Sequence, residues 1–129
     1  MARRVAIIAS QGTLDTAYKV LNIAVAAASM DAEVKIFFTF EGLNILTAPE
    51  SLQMPSGKEH LQAALGQAGL PSVKEMLDMA RESGVELLGC QMTMDVMGIT
   101  QEQLPDRCPV GGAAAFLEYA FDADVTVTF

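Results

Sequence analysis

Tryptophan is absent from these 129 residues, histidine occurs once, cysteine twice, and aromatic side chains make up only 6%. A core without tryptophan has to be built from aliphatic side chains and from methionine, of which there are 8. One histidine and two cysteines do not make a convincing zinc site. A C-x-x-C pair of the thioredoxin kind is missing, and no Ser-His-Asp arrangement or carboxylate pair stands out. Positive charge is scarce: 8 Lys and Arg against 16 Asp and Glu give a formal net charge of -8. Such a surface repels phosphate backbones and anionic bilayers, so neither nucleic acid nor membrane is expected as a partner. No apolar run is long enough to span a bilayer. The opening "MARRVAIIAS" imitates a signal peptide only faintly, because its apolar run is short and "QGTLD" interrupts it. The expectation is a cytoplasmic protein whose cysteines are reduced thiols.

What is present is a hydrophobic share of 51%, enough for one folded domain with a real core over 1–129. "RVAIIA" (Arg4–Ala9) is a continuous run suited to a strand covered on both faces. "SQGT" turns the chain, with Thr13 placed to cap the next helix and Asp15 in its first turn. Leu14, Ala17, Leu21, Ala24, Val25 and Ala28 then follow helical spacing. "EVKIFFTF" (Glu33–Phe40) is a second strand and "EGLNIL" a short helical segment. Prolines and glycines between Thr47 and Gly69 predict a less regular segment, with a short helix near His60–Ala68. Ser72 and Glu75 form a capping box opening a helix that stops at Gly84. "VELLGC" is a third strand, Met92–Met97 a helical turn, and Thr100 with Gln103 a second capping-box pattern. "RCPV" reads as a very short fourth strand, Gly111–Ala123 as a small-residue helix and "DVTVTF" (Asp124–Phe129) as a last strand.

This alternation predicts an α/β layered sandwich, flavodoxin-like or Rossmann-like, with a mainly parallel sheet of about five strands. In such sheets functional groups gather beyond the carboxyl ends of the strands. Ser10 to Thr13, Phe40 to Gly42, and Cys90 all fall on that edge. Cys90 is open to two readings: a thiol activated at a helix N-terminus, or a small hydrophobe among Leu87, Leu88, Met92 and Met97. Cys108 is either a thiol that resolves an oxidised or persulfidated Cys90 or an incidental one in a short strand. His60 could approach Cys90 as a base if its segment folds over, and otherwise is a solvated loop residue. Asp95 is expected to hold loop shape, since a carboxylate beside the thiol would raise its pKa. The methionines read as packing. Gly12 and Thr13 lie in a loop that superficially suggests a phosphate cradle, but neither G-K-[ST] nor G-x-G-x-x-G is present.

The stretches "QGTLDTAYKVLNIAVAAASMDAEVKIFFTFEGLNIL", "GVELLGCQMTMDVMGI" and "GGAAAFLEYAFDADVTVTF" resemble the DsrE/DsrF-like family, in its DsrE2-like or "peroxiredoxin-like" branch. The specific pieces are the G-T-L-D turn, the F-F-T-F-x-G-L strand exit and the C-Q-M-[ST]-M-D-V-M-G run. The resemblance covers most of the chain and leaves out mainly Thr47–Gly69. It implies assembly into trimers or hexamers. It also implies sulfur trafficking, with sulfane sulfur held on Cys90 as a persulfide or thiosulfonate and passed to a partner such as a TusA-like carrier. Gly12, Thr13, Asp95 and Cys108 would be supporting residues at most. No cofactor or metal is implied. Two other functions remain on the sequence alone: a non-catalytic oligomeric protein-binding subunit, and a small-molecule or flavin-binding module at the "SQGT" edge. Aliphatic excess on a small domain gives oligomerisation modest independent support.

Overall fold

Among the described residues five short strands, all parallel, form one sheet in the order β4-β3-β2-β1-β5. The computed structural model describes residues 2–129; Met1 lies outside them. The strands are β1 (Arg4–Ala9), β2 (Glu33–Phe38), β3 (Glu86–Cys90), β4 (Val110–Gly111) and β5 (Val125–Thr128). The helices are α1 (Leu14–Ser29), α2 (Asn44–Thr47), α3 (His60–Gln67), α4 (Val73–Glu82), α5 (Gln91–Met97) and α6 (Ala113–Ala120), with 3-10 turns at Phe40–Leu43 and Gln101–Gln103. From β1 to β4 each strand is laid beside the last in one direction. The chain then steps back across the sheet to place β5 beside β1. Right-handed crossovers put α1 and α4 on one face for the forward steps and α6 on the other for the return.

Side-chain alternation divides the core accordingly. Val5, Ile7, Ala9, Val34, Ile36, Phe38 and Leu87 point to the α1/α4 face and join Val20, Leu21 and Leu77 in the larger cluster. Ala6, Phe37, Leu88 and Cys90 point the other way and meet Phe116 of α6 in a smaller one. Alanines 17 and 24 are fully buried, so α1 sits close on the sheet. Phe116 is the one buried residue of α6 and stacks on Phe37, ring centroids 5.1 Å apart. The α6 face is therefore the thinly covered one.

Several boundaries differ from the sequence expectation. The fourth strand is Val110–Gly111 and not "RCPV", because Cys108 turns into the larger core while Gly89 N–H fixes Pro109 O at 2.9 Å. The sixth helix therefore starts at Ala113 rather than Gly111. Thr13 occupies the N-cap of α1 but its side chain does not cap. Its hydroxyl donates to Asp15 Oδ1 at 2.6 Å, and that same oxygen accepts from Thr16 N–H at 2.9 Å. The carboxylate is a stronger acceptor than the hydroxyl and takes over the role. The Ser72–Glu75 capping box forms as expected, each side chain accepting from the other's backbone N–H at 3.1 Å. At the second pattern, Gln103 Oε1 accepts from Thr100 N–H at 2.8 Å. The 47–69 segment holds only the last residue of α2 and the exposed α3.

Candidate functional site

Cys90 is both the last residue of β3 and the N-cap of α5, with φ -77° and ψ 115°. The apolar run Leu87–Leu88 makes the strand, and the chain turns straight into helix at Gln91. This hinge leaves the first N–H groups of α5 without helical partners, beside the sulfur. Burial raises the pKa of the Cys90 thiol, but hydrogen bonding outweighs it: the Thr93 hydroxyl and N–H, the Thr39 hydroxyl and the Met92 N–H together hold it below the ordinary thiol value. The residue is 4% exposed, under a thin cover shared with Leu88 and Phe116. A lowered pKa means more thiolate near neutral pH, and the thiolate is the nucleophile.

Thr39 and Thr93 were not singled out by the sequence, and they make the site. Thr93 is 1% exposed, and its hydroxyl accepts from Phe40 N–H at 2.9 Å and lies 3.3 Å from the Thr39 hydroxyl. The exit of β2 is thus tied to the start of α5. Phe40 holds a left-handed φ of 48° and is 47% exposed beside this junction. Such a conformation costs a bulky residue about 1 kcal/mol or more and persists where the surroundings impose it. Gly42 explains part of that imposition: a Cβ there would stand 1.9 Å from Ala9 O, so the turn is pressed onto the end of β1. The only sequence signal for these threonines was their place at the carboxyl edge, in "FFTFEG" and "CQMTMD".

The other expected residues are dispersed. Gly12 lies on the same edge, where a Cβ would meet Glu41 O at 2.4 Å, so its loop is packed against its neighbour and is no open cradle. Thr13 serves Asp15 at the start of α1. Asp95 is exposed and accepts from Gln91 Nε2 at 3.0 Å along α5; it bonds no loop amide and faces no thiol. His60 is exposed on the first turn of α3 and is not among the groups that bond the sulfur. Cys108 is buried in the α1/α4-side cluster whereas Cys90 belongs to the α6-side cluster, so the sheet separates the two thiols. Burial raises the Cys108 pKa, opposed by Arg81 and the Gly89 N–H. Among the described residues no group of three or more His, Cys, Asp or Glu is placed to hold a metal ion. Among the described residues no helix is long and apolar enough to cross a membrane.

The sequence pattern of the DsrE/DsrF/DrsH-like family matches residues 1–65 and 51–128. The chain belongs to this family. The two matched stretches overlap at residues 51–65, within the irregular 47–69 segment. Among DsrE-like relatives, the sulfur carrier protein DsrE2 of Allochromatium vinosum is 31% identical over 152 aligned positions, covering 95% of this chain and 96% of that protein. YrkE of Bacillus subtilis, which is uncharacterised, is 30% identical and covers 97% of this chain and 96% of its own. Of solved structures, the ychN protein of E. coli superposes with a TM-score of 0.70 at 17% identity over 100% of both chains. MTH1491 of Methanobacterium thermoautotrophicum, of unknown function, gives 0.59 at 14% identity, covering 97% of this chain and 98% of its own. Both likenesses concern the fold alone, an α/β sandwich with a parallel sheet as expected from the sequence.

Proposed function

We propose that this chain, acting as one DsrE-like domain, is a sulfur carrier that holds sulfane sulfur as a persulfide on Cys90 and passes it to a partner carrier of the TusA-like kind. The observation that carries the reading is the place of Cys90 as last residue of β3 and N-cap of α5, at the junction that Thr93 ties to the exit of β2; hydrogen bonding from Thr93, Thr39 and Met92 holds its thiol below the ordinary value in spite of burial. Family membership and the relative named as a sulfur carrier support it. The Cys90 thiolate attacks the outer sulfur of a persulfide donor. The donor's S–S bond breaks, a new S–S bond forms on Cys90, and the donor leaves as a thiolate. No net oxidant is consumed, and discharge to the acceptor is the same step in reverse. Donors that stabilise a thiolate also stabilise the terminal sulfur anion of the persulfide. Neither metal nor acid–base pair is required.

The partner would approach over Phe40, Met92 and Val96, which are 47%, 57% and 73% exposed at the thiol end of the sheet. The same reading includes a homo-oligomer, trimer or hexamer. Loading is tested by mass spectrometry after incubation with a low-molecular-weight persulfide. The expected product carries one additional sulfur, mapped to Cys90, and Cys90→Ser does not load while Cys108→Ser does. Equal loading of Cys90→Ser and wild type would overturn the proposal.

A further inference from the structure

β4 pairs with only Gly89 and Cys90, so the outer edge of β3 is bare along its first residues. Alternate residues of a strand direct their backbone groups to the same edge. Gly89 N–H points outward to Pro109 O at 2.9 Å, and Leu87 therefore presents its N–H to this same edge. A cleft of about 500 Å³ runs there, lined by Gly84 to Leu88 and Pro109. Its walls carry Lys35, Arg81 and Arg107, three of the chain's 8 cationic side chains, against a single carboxylate, Glu86. Lys35 pairs with Glu86 at 3.3 Å. Arg81 and Arg107 form no ion pair among the described residues, although the chain carries 16 carboxylates.

Arg81 is held by its side chain, and Arg107 stands on a loop whose backbone is pinned. Arg81 donates to Asp106 O. The loop carrying Arg107 is pinned at Cys108 O by Gln101 Nε2 at 3.1 Å, at Pro105 O by Cys108 N–H at 3.2 Å, and at Pro109 O by β3. Arg107 itself has a left-handed φ of 59°. Guanidinium groups fixed before a ligand arrives lose less freedom on binding, and their planar forks match tetrahedral oxyanions. A carboxylate-rich chain that sets a clamped Arg81, an exposed Arg107 on a pinned loop and a free backbone N–H around one cleft has the parts of an anion site.

We infer that this cleft binds a small tetrahedral oxyanion, free or as the terminal group of a small molecule, through Arg81, Arg107, Lys35 and the Leu87 N–H. It is distinct from the thiol: Glu86 and Cys90 are four residues apart on β3, about 13 Å. The rival account makes the cations mere guards of an exposed sheet edge, where charge blocks unwanted strand pairing.

The test is a titration of the full 15N-labelled chain with inorganic phosphate at ionic strength held constant by chloride, with inorganic sulfate as a parallel arm. Saturating amide shifts at Leu87, Arg107 and Val110 are expected. Arg81→Gln combined with Arg107→Gln should raise Kd by about tenfold or more. Lys58→Gln, which removes an exposed cation elsewhere that forms no ion pair among the described residues, should not change it. If the double variant is unfolded by circular dichroism, Arg107→Gln alone, at an exposed side chain, reads the same loss. Saturation by phosphate alone supports a phosphate-bearing ligand, and saturation by both anions supports a general oxyanion site. Linear shifts in every salt, or a Kd the arginine variants leave unchanged, would overturn the inference. Alkylation of Cys90 in the same samples is expected to be unaffected, so this result stands or falls apart from the sulfur-carrier proposal.

Discussion

Thr93 has one hydroxyl and more than one task. It accepts from the strained Phe40 backbone and supports the Cys90 sulfur. Thr93→Val removes the hydroxyl with almost no change of volume. Loss of one charge-assisted hydrogen bond, worth about 1.5 kcal/mol or more, should slow iodoacetamide alkylation of Cys90 at pH 7 by about tenfold and move the midpoint of its pH profile upward. Thr93→Ser should restore both. A profile identical in all three proteins would mean that the hydroxyl does not tune the thiol. The position of Cys90 at the end of a strand was legible in the sequence, because a cysteine closing an apolar run before a helical turn is a recognisable pattern. Its donors were not. Thr39 and Thr93 are separated by 54 positions, and nothing local to either announces that β2 and α5 share an edge.

Among the elements, α6 and the start of α1 make the sharpest demands. α6 rests on the sheet through Phe116 and helps to cover the thiol. Phe116→Ala should cost about 3 kcal/mol and, at temperatures where the variant stays folded, speed Cys90 alkylation. Unchanged alkylation would show that access does not run beneath α6. At α1, burial raises the Asp15 pKa, but the Thr13 hydroxyl, the Thr16 N–H and Lys19 outweigh it and hold the group below its ordinary value. A depressed folded pKa contributes stability in full above the unfolded value, about 3.9, and loses it as pH falls through the folded value. Asp15→Asn should therefore lower stability at pH 7 by about 1 kcal/mol and flatten the acid limb of unfolding, as measured by urea melts between pH 2 and 7. The longer helices and strands, such as β1, α1 and β2, were readable from periodicity. The ends that moved, at Val110–Gly111 and Ala113, moved because a two-residue strand leaves no periodic trace and Cys108 was drawn into the core.

At the scale of the whole molecule, the parallel order was accessible from the β/α alternation, whereas the uneven cover of the two faces was not. It depends on three forward crossovers against one return. The thin face ends at Phe121, 79% exposed, with Leu117 and Val125 at 43% and 50% near it in sequence. An apolar surface of this kind is suited to a subunit contact. Phe121→Ser should shift the protein from oligomer toward monomer in light scattering coupled to size exclusion, with the alkylation profile of Cys90 monitored in each fraction. A monomeric wild type at high concentration would remove the oligomer from the proposal. The division of β3 between two faces carries one more consequence. Cys90 reaches its donors only because it lies an even number of steps from Glu86 and Leu88. Deletion of a single residue before it would turn the sulfur through the sheet to the side where Cys108 is enclosed. The proposed chemistry on Cys90 thus depends on a parity, and a one-residue slip would silence it before any side chain of the site had been changed.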